Sequence, residues 1–203
     1  MATKARGKIV RRLGVNLYGN PKYDRLLKRK SNPPGMDKGR RVRKKDSEYS
    51  RQLLEKQKLK FSYGLSERQF RNLFEKAKNM KGVTGDNMLA LLERRIDNVV
   101  YRMGMATTRP QARQLVSHGH IMVNGRSVDI PSMVVKSGDS ITVKERNTST
   151  KLVRASLSHH DRPIPGWITV SVDDVSGKIE RLPVRSDIPT IANELLVIEY
   201  YAK

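Results

Sequence analysis

Apolar residues recur at a helical spacing through the middle of the chain. In segment 86–103 they stand at intervals of four, four, three and four: Met88, Leu92, Ile96, Val99 and Met103. This spacing places them on one face of a helix. The pattern therefore predicts one helix over about 86–103, with its apolar face packed into a core.

Two further helices are predicted before this one. Ser47 to Phe61 carries Leu53 and Leu54 on one side and basic residues around the rest. Ser66 and Gln69 then have the spacing of a capping box, which marks the start of a helix. Residues 47–90 are therefore predicted to form a helical domain.

The next part of the chain predicts a small mixed module over residues 91–151. A helix begins after Thr108, with Pro110 in its first turn, where proline is tolerated. Asn124-Gly125 lies between two short apolar segments and predicts a tight hairpin. The alternating segment 140–145 predicts a third strand. The expected fold class is α+β, and this module should have two helices packed on a short antiparallel sheet.

Residues 152–203 are predicted to be β-rich. Trp167 to Val172 and Lys178 to Leu182 form two candidate strands joined by a turn through Gly177, and Leu195 to Tyr201 forms a third. Residues 1–46, in contrast, contain several glycines and prolines between basic clusters and predict an arm with little regular structure. Two interpretations of the arm stay open, a disordered tail and an arm that becomes ordered on RNA.

Charge separates these segments. The chain has 41 Lys and Arg against 20 Asp and Glu, a net charge of +21. Residues 1–60 hold 20 basic and 5 acidic side chains, a net of +15, whereas residues 152–203 hold 6 and 7, a net of −1. Such an excess indicates a polyanionic partner for the first part. Nucleic acid is favoured over a membrane surface, because no segment has the roughly 20 apolar residues of a membrane span and no apolar signal core is seen.

The candidate chemistry is poor. The chain contains no cysteine, so disulfides, thiolate zinc sites and cysteine nucleophiles are excluded. The histidines, His118, His120, His159 and His160, have no carboxylate set nearby, so neither a metal nor another cofactor is expected. No phosphate-binding glycine loop and no nucleophile–base pair is recognisable, and we predict that the protein is not an enzyme.

A family resemblance appears at residues 91–145. The RNA-binding module named after small-subunit ribosomal protein S-four is similar at 95–104, 108–109, 112–116, 118–120, 123–125, 128–132 and 135–139. The ribosomal protein family itself is similar at Ser47-Glu48-Tyr49, Tyr63-Gly64, 67–71, 185–187, 193–194 and 198–201. The chain departs from many members in lacking an N-terminal cysteine cluster, and 36–39 replaces a usual Gln-His-Gly.

This resemblance implies a structural constituent of the small ribosomal subunit. It implies primary binding of ribosomal RNA, organisation of that RNA during subunit assembly, and a contribution to translational accuracy at the messenger RNA entry side. Implied partners are ribosomal RNA, messenger RNA and neighbouring proteins of the S-five and S-three families, with the tail packed back on the helical domain. The expected location is a cytoplasmic ribosome, with an organellar ribosome left open.

Two other classes of protein share parts of this pattern. Arg94-Arg95-Ile96-Asp97 is similar to a catalytic motif of pseudouridine synthases, which often carry this module, but the chain has no room for a synthase domain. A stress-induced RNA-binding factor with the same module would lack the matched helical region. The helix face that carries Arg109 and Arg113 also has a plainer interpretation, a solvated helix surface.

The candidate residues combine the family resemblance with the need for solvent-facing cations at a phosphate backbone. Those predicted to bind ribosomal RNA are Lys8, Arg11, Arg12, Lys44, Lys45, Arg51, Lys56, Lys58, Lys60, Arg68, Arg71, Arg109, Arg113, Gln114, His118, His120, Asn124, Arg126 and Lys136. The messenger RNA candidates are Arg40, Arg41 and Arg43. The protein-interface candidates are Asp187, Glu194 and Glu199.

Overall fold

The structure is a computed structural model that describes residues 5–35, 47–144, 147–158 and 162–202. Its helices are α1 Arg6–Leu13, α2 Pro21–Arg29, α3 Glu48–Ser62, α4 Glu67–Lys78, α5 Thr84–Glu93, α6 Ile96–Arg102, α7 Arg109–Ser117, α8 Asn147–Ser158 and α9 Glu194–Ala202. Its strands are β1 Ile121–Val123, β2 Arg126–Val128, β3 Ser140–Val143, β4 Ile168–Ser171 and β5 Ser176–Ile179, and Arg185–Asp187 forms a 3-10 turn. The predicted α+β class is confirmed.

The chain divides into two compact units. One unit combines the residues up to Leu65 with those from Thr190 onward, and the other is Ser66–Pro189. The helical segment predicted as 47–90 is therefore split, because α4 and α5 belong to the unit that contains the sheet. Within the described ranges, no helix combines the length and apolar character needed to cross a bilayer.

The N-terminal arm contains more structure than predicted. Helices α1 and α2 occupy 6–29, so the expectation of little regular structure is wrong there. Val10, Leu13 and Leu17 are buried, so this segment has a small apolar core of its own. Asn20 caps α2, since its side chain accepts a hydrogen bond from the backbone N–H of Lys22 at 2.9 Å.

The end of the chain returns to α3, as expected, but as a helix. The strand predicted at 195–201 is wrong: α9 packs along α3, and Val197 is buried. The Gln52 Nε2 donates a hydrogen bond to Glu199 Oε2 at 3.0 Å, and the backbone N–H of Asn193 donates to Glu55 Oε2 at 2.9 Å. A short apolar run such as 195–198 does not distinguish strand from helix by periodicity.

The helix predicted over 86–103 is interrupted. Helix α5 ends at Glu93 and α6 begins at Ile96, so one continuous helix was wrong. Between them the backbone pairs with a distant segment: the Ile96 N–H donates to the carbonyl of Met133 and the Val135 N–H to that of Arg94, both at 2.9 Å. The predicted apolar stripe is nevertheless buried. The predicted capping box of α4 is confirmed.

The sheet has the order β2-β1-β3-β5-β4, and its neighbours are antiparallel. The predicted hairpin is confirmed, and Asn124 at φ 50° and Gly125 at φ 77° form its turn. The later turn was placed wrongly, because Gly177 lies inside β5. A Cβ at Gly177 would stand 2.8 Å from the Met103 side chain, so the close approach of that side chain explains the glycine.

The core of the second unit lies between the sheet, α6, α7 and α8. Trp167 is fully buried in it with Val153 and Leu157 of α8. Helix α8 was not predicted, and the expectation that residues 152–203 are β-rich holds only for the β4–β5 hairpin. Ser156 Oγ donates to the carbonyl of Gly104 at 2.8 Å, which ties α8 to the end of α6.

Candidate nucleic-acid interface

Two arginines, Arg95 at the N-cap of α6 and Arg113 on α7, surround one buried carboxylate. Asp97 accepts hydrogen bonds from Arg95 Nε at 3.1 Å and Nη2 at 2.9 Å, and from Arg113 Nε at 3.0 Å and Nη2 at 2.7 Å. The side chain of Asp97 is 7% exposed, and that of Arg113 is 32% exposed. The pairing therefore fixes an arginine at the edge of the fold, where solvent reaches it.

A second network begins at Glu93, which is 1% exposed. Its carboxylate accepts from Arg102 Nε at 2.9 Å and Nη2 at 2.7 Å and from Asn98 Nδ2 at 2.8 Å. Asn98 Oδ1 in turn accepts from Arg109 Nε at 2.8 Å. Polar groups removed from water need such partners, and here the partners link α5, α6 and α7.

The ring of Tyr101 stacks on the guanidinium of Arg109. The Arg109 guanidinium lies 4.5 Å from the centroid of the Tyr101 ring, and the Arg162 guanidinium lies 4.0 Å from it. Arg162 Nη2 also donates to the carbonyl of Ala106 at 3.1 Å. A guanidinium over an aromatic ring gains electrostatic attraction, so Tyr101 helps to hold both cations in place.

The remaining module candidates differ in their freedom. Gln114, His118, Arg126 and Lys136 are exposed. The His118 and His120 rings lie 6.0 Å apart, with His120 half-buried. Asn124 is already used within the fold, since its Nδ2 donates to Asp139 Oδ1 and its Oδ1 accepts from the Ser140 N–H, both at 2.9 Å. Asn124 therefore shapes the turn.

The N-terminal candidates divide in the same way. Lys8 and Arg12 are exposed on α1. Arg11 instead faces its own chain, with Nη2 donating to the carbonyls of Asn32 at 2.8 Å and Pro33 at 3.3 Å. Residues outside the described ranges include Lys44, Lys45, Arg40, Arg41 and Arg43, so the structure neither places nor tests these candidates.

Two predicted RNA contacts on α3 face protein. Lys56 and Lys60 are 3% and 8% exposed, against the expectation that they face solvent. Lys56 Nζ lies 4.4 Å from the centroid of the Tyr200 ring and 3.4 Å from its hydroxyl oxygen. Lys56 is covered because α9, which was predicted as a strand, packs along α3.

The other candidates on α3 and α4 differ in exposure. Arg51, Arg68 and Arg71 are exposed. Lys58 is largely covered, with 18% side-chain exposure, and its Nζ lies 2.6 Å from Glu55 Oε1. Arg71 pairs with Glu75 one turn later at 3.2 Å but remains 70% exposed, a geometry that contributes little to stability.

The acidic candidates in the tail have partners within the chain. Asp187 accepts from Arg181 Nη1 at 2.5 Å and Nη2 at 2.9 Å and from the Val184 N–H at 3.0 Å. These bonds, first of all the one from Arg181, lower the pKa of Asp187. Glu199 is exposed but accepts from Gln52, and Glu194 is half-buried. The Asp187 carboxylate is thus engaged within its own chain, by Arg181 and Val184, and is less available for contact with another protein.

Sequence reasoning missed the residues behind the arginines, namely Glu93, Asp97, Asn98, Arg102 and Tyr101. A signal was present, since Glu93, Asp97, Asn98 and Arg102 stand between the apolar residues of the predicted helical stripe at 88–103. Among the described residues, no group of histidines and carboxylates has the arrangement of a metal site. What the site offers is fixed guanidinium groups beside exposed polar side chains, and this chemistry suits phosphate and sugar oxygens.

Comparison with known proteins gives the family. Residues 2–93 match the family model described as "Ribosomal protein S4/S9 N-terminal domain", and residues 94–141 match the "S4 domain". The chain is 57% identical over 201 residues to "Small ribosomal subunit protein uS4" of Borrelia hermsii (strain HS1 / DAH), covering 98% of this chain and 96% of that protein. The protein of the same name from Treponema denticola is 51% identical over 198 residues, with the same coverage. The chain belongs to the uS4 family of small ribosomal subunit proteins, as a structural component and not an enzyme.

Proposed function

We propose that the protein binds small-subunit ribosomal RNA through the α6–α7 face, defined by Arg109, Arg113, Gln114 and His118. The observation that carries this proposal is the held arginine pair. Arg109 and Arg113 are four residues apart on α7, and each has its Nε bonded to α6. An RNA duplex or junction presents phosphates and 2′-hydroxyls in fixed positions, so fixed guanidiniums match it well.

The exposed cations of the first unit form a second contact in this proposal. Lys8 and Arg12 on α1 and Arg51 on α3 are exposed, and the first 60 residues carry a net charge of +15 from 20 basic and 5 acidic residues. Neutralising phosphates releases counterions, which supplies salt-dependent affinity without reading sequence. This contact should raise the affinity for RNA, whereas the α6–α7 face should fix the orientation in which the RNA binds.

The finer roles are part of the proposal. We infer that RNA binding organises the subunit during assembly, in the ribosomes of the cytoplasm. The basic run that includes Arg40, Arg41 and Arg43 is our candidate for messenger RNA at the entry side. The near-neutral tail, with Leu195 and Ile191 exposed on the first unit, is our candidate for neighbours of the S-five and S-three families, and through them for accuracy.

A binding titration tests the central claim. The full chain is titrated against a small-subunit ribosomal RNA fragment, alongside R109A/R113A and the control R154A, which removes an exposed arginine of the same unit on α8. We expect R109A/R113A to weaken binding and to reduce the log–log salt slope by about one to two. An unchanged affinity and slope in a folded R109A/R113A protein would remove this face from the interface.

A sedimentation experiment tests the ribosomal assignment separately. The tagged chain should migrate with small subunits in a sucrose gradient of a cytoplasmic fraction, and R109A/R113A should be depleted from that peak. A chain that stayed at the top of the gradient would favour the rival function, a free RNA-binding factor with the same module. Charge reversal at Glu194 should raise stop-codon readthrough in incorporated subunits if the tail bears on accuracy.

A further inference from the structure

We propose that Asp97 and Glu93 are positioning residues for RNA recognition: these two buried carboxylates hold Arg113 and Arg109 in the orientation in which they meet RNA. This inference rests on the proposed function and deepens it. It names negatively charged residues as necessary for binding a polyanion. Net charge alone would assign them the opposite effect.

The Asp97 carboxylate holds Arg113. This carboxylate takes two hydrogen bonds from Arg95 and two from Arg113, at 2.7 to 3.1 Å. Arg95 is buried to the same degree as Asp97, with 7% of each side chain exposed. The carboxylate therefore joins the buried Arg95 to Arg113, whose side chain is 32% exposed.

Glu93 acts on Arg109 through Asn98, which bonds to both residues. Asn98 Nδ2 donates to the backbone carbonyl of Glu93 at 3.1 Å and to its Oε2 at 2.8 Å. Because both bonds need the amide nitrogen, the amide oxygen must face the other way, toward Arg109 Nε at 2.8 Å. The Tyr101 ring at 4.5 Å restricts the guanidinium from a second direction. Glu93 thus fixes the orientation of the Asn98 amide, and the oxygen of that amide fixes the position of the Arg109 guanidinium.

The physical gain is lower entropy loss at binding. A free arginine loses rotamer freedom when it docks on a phosphate, whereas a guanidinium already held through its Nε loses less. Planar guanidiniums also need the correct tilt for a two-point bond to phosphate, which a lysine point charge does not. Orientation and charge make opposite predictions here, since removing an acid near RNA should tighten binding if charge alone matters.

The experiment uses the full chain and the same ribosomal RNA fragment. D97N should weaken binding by about 10-fold, the size expected when one hydrogen bond to a charged group is lost, although it raises the net charge by one. The matched control D129N removes an exposed acid of the same unit, and it should bind as tightly as the unmodified chain or more tightly. In the R113A background, D97N should have little additional effect.

A second variant keeps the test decisive if D97N fails to fold. R113K retains the charge at a partly exposed position but cannot form the two-bond pairing with Asp97, so it should lose several-fold affinity. Binding by R113K or D97N equal to or tighter than the unmodified chain, while R113A binds weakly, would overturn the inference and leave the proposed function intact. If R113A itself bound normally, the proposed RNA face would be wrong instead.

Discussion

The two units present positive charge in different ways. On α1 and α2, exposed cations such as Lys8 and Arg12 stand with a single acidic residue nearby in sequence, Asp24. In the second unit, Arg109 and Arg113 are bonded to side chains of α6, and behind them lie the buried acids Glu93 and Asp97. The difference shows that the net charge of a unit and the orientation of its cations are separate properties. In the second unit, hydrogen bonds to side chains of α6 restrict the arrangements in which Arg109 and Arg113 can meet a phosphate.

The largest expected effect is on the stability of the second unit. D97A removes the carboxylate partner of the buried Arg95, and breaking such a pair costs about 3–5 kcal/mol of unfolding free energy. Native-state amide exchange at Val99 should report the loss. D24A is the matched change in the first unit, where the exposed carboxylate accepts one bond from Asn16 Nδ2 at 2.8 Å, and exchange at Val10 should be unchanged. Equal effects would remove the distinction between the units.

A smaller effect should come from the same glycine substitution in each unit. In G177A the new Cβ meets the Met103 side chain at 2.8 Å and the Thr169 carbonyl oxygen at 3.1 Å, so overpacking should cost about 1–3 kcal/mol. In G7A it meets only the end of the Leu26 side chain at 3.1 Å, within a helix that alanine favours by about 1 kcal/mol. Chemical denaturation should therefore show a loss of stability for G177A and none for G7A.

Some elements of the fold could be predicted from the sequence alone. The α4 capping box, Pro110 in the first turn of α7 and the Asn124-Gly125 hairpin were predicted correctly, because each depends on residues close together in the chain. The break at Arg94-Arg95 could not be predicted, since it depends on hydrogen bonds to residues 133–135. Helix α9 could not be distinguished from a strand because its partner, α3, lies far away in sequence.

The candidate site shows the same limit. Arg109 and Arg113 were found from their spacing and the family resemblance, whereas Asp97 and Glu93 were not. In sequence, a buried carboxylate looks the same as a solvated one, and only the packing of α6 on α7 reveals its burial. Lys56 was expected to face solvent for the same reason, because the side of α3 that α9 covers becomes known only from the folded chain.

A third prediction compares how RNA binding responds to salt. K8A/R12A and R109A/R113A should each reduce the log–log slope by about one for every phosphate that is no longer neutralised. Their behaviour should then diverge. At high salt the K8A/R12A defect should shrink toward zero, because it is purely electrostatic and screened, whereas the R109A/R113A defect should persist, because directed hydrogen bonds are removed. A persistent K8A/R12A defect would show that α1 is oriented too.

The smallest expected effect is on the stability of the protein at acidic pH. The bonds from Arg181 and Val184 lower the pKa of Asp187 below its ordinary 3.8, so its contribution to stability is present above that value and is lost as pH falls through the lowered pKa. D187N should therefore flatten the acid side of a stability–pH curve below about pH 4 and leave RNA binding at neutral pH unchanged. A curve identical to that of the unmodified chain would show that the pair contributes nothing.

The pairing of α3 with α9 also has a consequence for synthesis. Gln52 and Glu199 are 147 positions apart, and translation adds about 5–20 residues per second. Helix α3 thus leaves the translating ribosome several seconds before its partner exists, with Gln52 and Lys56 still uncovered. The second unit, which spans residues 66–189, can fold during that interval. Helix α3 therefore gains its packing partner only after α9 has been synthesised.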